Sequence, residues 1–154
     1  MRYIAILLLL FSLCAQSSEQ PMLTDLSSLQ WQNRVIVANQ PADVAQAVSL
    51  LEEQAAGVAD RDLIWLVFDD TRTLTNYPGE LAPELKANTL ETYRIEPGQV
   101  ILIGKDGGVK SRLKQVDLKA LFADIDAMPM RQDEMRQKKR LGESDAAAPN
   151  KSGD

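Results

Sequence analysis

The chain has 154 residues, of which 45% are hydrophobic and 25% charged, and it carries a formal net charge of −5. This is ordinary for a globular protein, and the excess of acid argues against general nucleic-acid binding, which needs basic residues to displace phosphate counterions. With no histidine and a single cysteine, the sequence excludes zinc sites of the Cys/His kind, serine and cysteine triads, and the commonest general base at neutral pH.

Residues 1–17 have the three parts of a secretory signal: the charge of Arg2, an apolar core over residues 4–13, and small residues at Ala15 and Ser17. Cleavage is expected after Ser17. The apolar core falls short of the roughly 20 residues that a membrane-spanning helix needs, so no stable membrane insertion is expected. Cys14 lies inside the signal, and the bulky Leu13 before it disfavours acylation as a lipoprotein. The expected product is periplasmic or secreted, free of cysteine, and dependent on its hydrophobic core alone.

In residues 18–32, Leu26, Leu29 and Trp31 are expected to pack an N-terminal arm onto the domain. Val35-Ile36-Val37 marks a first strand over residues 34–38. Asn39-Gln40-Pro41 turns the chain into a helix over residues 42–56, with Val44, Val48 and Leu51 at helical spacing, Pro41 in its first turn and Gly57 as its stop. Residues 62–68 include the continuous apolar run Leu63 to Phe68, as expected for a strand covered on both faces. A right-handed crossover makes this strand parallel to the first.

Residues 69–79 read as a polar loop and residues 80–93 as a helix whose start Pro83 delays. Val100 to Ile103 and residues 109–113 then form a β-hairpin, with Asp106-Gly107 supplying the positive backbone angles of its turn. Asp117 caps a helix in which Leu118, Leu121, Phe122 and Ile125 make one apolar stripe. Pro129 breaks that helix and opens another over residues 130–138. Residues 136–154 are expected to form a basic helix end and a disordered tail, leaving 18–135 as one domain.

The order βαβ, helix, β-hairpin, helix points to a single α/β domain of thioredoxin-like kind: a mixed sheet with a parallel first half and an antiparallel second half. Three segments carry a narrower resemblance. Trp31-Gln-Asn-Arg34, Leu102-Ile-Gly-Lys-Asp-Gly-Gly-Val-Lys110 and Ile125-Asp-Ala-Met-Pro-Met-Arg131 resemble a domain of unknown function sometimes called P-DUDES. That family is found in bacterial envelope proteins and in vertebrate secreted matrix proteins with sushi repeats, and is regarded as thioredoxin-like. The resemblance covers roughly residues 26–135 and implies a fold without implying an activity. The turn where thioredoxins place Cys-x-x-Cys reads Asn39-Gln-Pro-Ala-Asp43, so a dithiol mechanism is excluded. Gln99 stands where the thioredoxin proline is expected, with Pro97 two residues away and open to a cis bond.

Several clusters admit a chemical reading. Lys105 to Lys110 lacks the spacing of a phosphate-binding loop and is expected to be a surface turn with its lysines in water. Asp60-Arg61-Asp62 is expected to be a solvated, internally paired turn, and the adjacent Asp69 and Asp70 point apart too far to chelate a cation readily. Met128, Met130 and Met135 could form a thioether site for Cu(I), with core packing the stronger expectation. The basic run Arg136 to Arg140 suits the negative end of a helix better than an anionic membrane. The expected function is a non-catalytic module binding an envelope or extracellular protein, with Lys105, Asp106, Lys110 and Arg131 as its interaction surface. No catalytic residue, cofactor or metal ligand is assigned. An enzyme using carboxylate or lysine groups near residues 39–43 is the alternative.

Overall fold

The computed structural model describes the backbone of residues 21–146 and the side chains of residues 21–142. The expected signal, Cys14 and the tail over 147–154 lie outside these residues. The chain forms a mixed α/β architecture around one five-stranded sheet. β1 (Arg34–Asn39) and β2 (Leu63–Phe68) are parallel, with Arg34 opposite Leu63 and Asn39 opposite Phe68. β4 (Val100–Ile103) runs antiparallel along the other edge of β1, and β5 (Val109–Leu113) completes the hairpin. β3 (Thr73–Thr75) adds an antiparallel strand beyond β2, giving the order β3-β2-β1-β4-β5.

The side-chain period of two along the central strands divides the core into two layers. Val35, Val37, Leu66, Phe68, Ile101 and Ile103 face one way, against Leu23, Leu26 and Leu29 of the N-terminal arm and against α3 (Leu85–Tyr93). Ile36, Ala38, Trp65, Val67, Val100 and Leu102 face the other, against α1 (Val44–Glu53), α2 (Ala55–Asp60) and α4 (Leu118–Asp126). Every residue of β1, β2 and β4 is buried, as a strand covered on both faces requires. The last helix, α5 (Pro129–Ala146), opens on Pro129 at the corner after α4. Among the described residues no helix is long and apolar enough to cross a membrane.

Several expectations need correction. The first helix is two helices meeting at Gln54, whose backbone leaves the helical region. Gly57 does not stop a helix but lies inside α2, where a side chain would meet the Phe122 ring. Pro41 lies ahead of the helix, and Asp43 is the cap, accepting a bond from the Gln46 amide at 2.8 Å. The polar loop contains β3, whose β-branched Thr75 donates its hydroxyl to the Trp65 carbonyl at 2.6 Å. Only Gly107 of the hairpin turn has a positive φ, at +80°, while Asp106 uses its carboxylate to accept from the Gly108 amide at 3.1 Å.

Trp31 does not pack the arm down: its backbone has a positive φ of 65° and its side chain is 65% exposed. α5 runs to Ala146, so residues 141–146 continue the helix rather than starting a disordered tail. The basic run 136–140 therefore lies inside α5 and not at its end. There is no cis peptide bond among the described residues, so the bond before Pro97 is trans.

Candidate functional site

The three segments that carry the family resemblance are far apart in sequence and meet at one end of the sheet. Arg34 is the first residue of β1, Gly104 and Lys105 follow β4, and Met128 to Arg131 form the corner into α5. The Trp31 amide donates to the Lys105 carbonyl at 2.6 Å, and Gln30 Nε2 donates to the Asp106 carbonyl at 2.7 Å. These bonds fix the N-terminal arm to the hairpin turn.

A network of charges holds this end together. Arg34, 1% exposed, donates from Nη1 and Nη2 to the two oxygens of Glu134, each at 3.2 Å. Lys105 Nζ donates to the same Glu134 at 2.8 Å and to Asp62 at 2.8 Å. Arg131, 3% exposed, donates to the Asp60 carbonyl at 2.8 Å, to the Asp60 carboxylate and to Asp126 at 3.3 Å. Arg61 donates to both oxygens of Asp126, at 3.0 and 2.6 Å, while its guanidinium lies 4.2 Å from the Phe122 ring centroid. Lys138 pairs with Asp60 at 2.6 Å.

The carboxylates respond to these partners. Burial alone would raise Glu134, but hydrogen bonds from Lys105 and Arg34 outweigh it and hold the group below the usual glutamate value. Burial likewise opposes ionisation of Asp126, and the Arg61 and Arg131 guanidiniums overcome it. Asp60 is lowered first by its bond from Lys138 and then by Arg131. Asp106 is lowered chiefly by Lys110, 2.6 Å away.

The expected interaction residues are thus brought to one region but not into one role. Lys105 is not a lysine in water: its side chain is 11% exposed between two carboxylates. Arg131 is no surface residue at all: it is buried, and its forked guanidinium reaches Asp60 and Asp126 together from α5. Only Asp106 and Lys110 form a partly exposed pair. The Asp60 to Asp62 turn is not internally paired; its three side chains bind α5, α4 and the hairpin respectively. Arg34 and Asp126 were given no role of their own in sequence, although an arginine set directly before the apolar run Val35-Ile36-Val37 was a usable signal.

A cavity of about 400 Å³ opens beside the network. Its wall contains Arg34, Gly104, Lys105, Asp106, Lys110, Met128, Pro129 and Met130. The Arg34 Nε–H is buried without a partner, which in a closed core costs about 1–3 kcal/mol. Met128 packs against the core layer of α4, as expected, whereas Met130 and Met135 are exposed and do not pack in the core. Met135 is not part of the cavity wall. Among the described residues no group of three or more His, Cys, Asp or Glu side chains could hold a metal ion.

The opposite end of the sheet is built differently. The Asn39 amide side chain is buried and donates to the Ile95 carbonyl at 3.1 Å, tying β1 to the loop before β4. Asp43 is committed to capping α1, beside a shallow hollow of about 310 Å³ lined by Pro41, Gln46 and Lys114. The carboxylate expected there for an enzyme is occupied by a structural bond.

No curated protein and no solved structure matches this sequence. Residues 25–134, a span that takes in the sheet and all of the charge network but Lys138, match the family described as a domain of unknown function (DUF4174), and the chain belongs to that family.

Proposed function

We propose that this chain is an exported, non-catalytic module of thioredoxin-like fold that binds another protein through the end of the sheet where the hairpin turn meets α5. One observation carries the reading: exposed Met130 lines a cavity whose wall includes Lys105 and Lys110, and exposed Trp31 is tied to Lys105 of that wall through its backbone amide. Tryptophan and methionine are enriched in interfaces, and tryptophan is a frequent anchor. The Trp31 amide bond to Lys105 fixes the backbone that carries the indole, which lowers the ordering required on binding.

The order β2-β1-β4-β5, with β1 parallel to β2 and antiparallel to β4, supports the thioredoxin-like assignment. The resemblance of residues 31–34, 102–110 and 125–131 to the P-DUDES domain supports it independently. The 39–43 turn has no thiol, so thioredoxin-type dithiol chemistry has no nucleophile there. Export follows from the signal read in residues 1–17.

The test is affinity capture from a cell-envelope extract with the wild-type chain and with a Trp31→Ala/Met130→Glu variant of unchanged thermal midpoint. A partner retained by the first and lost by the second is expected. Equal retention by both, or no specific partner for either, would overturn the reading.

A further inference from the structure

The cavity wall holds an unusual set of unused donors. A guanidinium has five N–H donors arranged as two forks, one end-on between Nη1 and Nη2 and one side-on between Nε and Nη2. In Arg34 the end-on fork is taken by Glu134, and the remaining Nη1 donor is taken by the Arg61 carbonyl at 3.0 Å. Nε has no partner. What is left is the side-on fork, Nε–H together with the second Nη2–H, closed to solvent as the cavity stands but in a side chain that forms part of the cavity wall. That fork matches the two oxygens of one carboxylate.

The rest of the wall agrees with this choice of ligand. Lys105 uses two of its three donors, on Asp62 and Glu134, and Lys110 uses one, on Asp106. The wall also includes Pro129 and Met130, the start of the 18-residue α5, where first-turn amides lack acceptors within the helix and the helix dipole is positive. Glu134, Asp62 and Asp106 balance Arg34, Lys105 and Lys110 one for one, so the site has no excess positive charge for a phosphate dianion, and recognition of a singly charged anion rests on the unused N–H donors. Met128, Pro129 and Met130 supply an adaptable apolar side. Gly104 leaves space for the Lys110 and Asp106 side chains, since a Cβ there would lie 2.5 Å from Lys110 Cε and 2.8 Å from Asp106 Oδ1.

Resting on the interaction reading above, we propose that this cavity binds a carboxylate carried on an apolar group, anchored by the side-on fork of Arg34 and assisted by Lys105 and Lys110. The same chemistry has two sources, the C-terminus of a partner polypeptide ending in an apolar residue, and a free carboxylic acid.

The test is a calorimetric titration of the whole chain with a tripeptide ending in leucine, its C-terminal amide, hexanoate and inorganic phosphate. The tripeptide acid is expected to bind, with the amide at least tenfold weaker. Lys110→Gln, a partly exposed position, is expected to weaken the acid several-fold with an unchanged circular dichroism spectrum, and Lys110→Arg to restore it. Binding of the peptide acid but not hexanoate assigns the ligand to a chain terminus, and comparable binding of both assigns it to the carboxylic acid itself. No binding of either acid, equal binding of the amide, or tighter binding of phosphate would overturn the proposal. If the carboxylate probes fail while partner capture still depends on Trp31 and Met130, this inference falls alone. If capture fails as well, the interaction reading falls with it.

Discussion

Arg34 and Glu134, 100 residues apart in sequence, meet through both terminal nitrogens of the guanidinium at 3.2 Å each, and this pair fastens the last helix to the first strand. The helix has little else to hold it by. Over residues 129–142 of α5, Arg131 is buried, Glu134 is half-buried and the rest are exposed. An ordinary surface helix docks through an apolar stripe, whereas α5 docks through charged side chains, Arg131 and Glu134 one turn apart and exposed Lys138 beyond them on Asp60. Its attachment should therefore respond to charge changes that leave the sheet intact.

Glu134→Gln would leave Arg34 buried without a counter-ion and Lys105 with one carboxylate instead of two. Removing one partner of a buried pair typically costs about 3–5 kcal/mol. A loss near the lower end is expected, because Glu134 is itself 24% exposed. The double substitution Arg34→Met/Glu134→Leu should recover most of it by replacing the pair with apolar packing. Urea denaturation of the wild type and the two variants measures this directly, and a wild-type midpoint for Glu134→Gln would contradict the assignment.

Acid should release α5 before it unfolds the sheet. Asp60, Asp126 and Glu134 have lowered pKa values in the folded chain, so they bind fewer protons there than when unfolded. Their contribution is complete above the ordinary carboxyl values of 3.8 and 4.5, and is lost as pH falls through the folded values below them. Amide exchange at residues 131–138 should accelerate below about pH 4.5 while exchange in β1 and β4 stays slow. Simultaneous loss of protection in α5 and the sheet would contradict a charge-docked helix.

Gly57→Ala sets two effects against each other. Alanine in a helix interior is favoured over glycine by about 1 kcal/mol, but the new Cβ would lie 2.9 Å from Phe122 Cε2. The ring is a stiff neighbour that also stacks with Arg61, and moving it disturbs the bonds to Asp126. A net loss of about 1 kcal/mol is expected by thermal denaturation. Stabilisation would show that the ring yields freely.

Gly107→Ala should destabilise by about 1 kcal/mol, because φ is +80° and the new methyl group would approach Gln30 Nε2 at 3.0 Å. The same change weakens the bond from Gln30 to the Asp106 carbonyl, so the N-terminal arm should loosen with the turn. Proteolysis near residues 25–33 reports that loosening, and an unaltered cleavage pattern would separate the arm from the hairpin.

The strands and the capped α4 helix were legible because their signals are local: apolar runs in β1, β2 and β4, and Asp117 ahead of the Leu118 to Ile125 stripe. The β3 strand was not, since three residues on a sheet edge gain their order from pairing with β2 and from the Asn76 side chain bonded to the Trp65 amide. The length of α5 escaped for the opposite reason: it has no apolar period to read. The candidate site was legible only as separate pieces. Lys105, Asp106, Lys110 and Arg131 were marked, but nothing local says that Arg131 would be buried against Asp60 while Lys110 stays accessible. Those roles depend on contacts between residues tens of positions apart.

Site-specific photocrosslinking most directly tests the claim that the hairpin end is the binding face. A benzophenone side chain would replace Trp31 or Met130 in turn, with Leu50, exposed on α1, as the control. The account predicts the same discrete adduct from positions 31 and 130 in the native envelope, its loss on adding Lys110→Glu, and no such adduct from position 50. An adduct from position 50 alone, or one insensitive to Lys110→Glu, would contradict it.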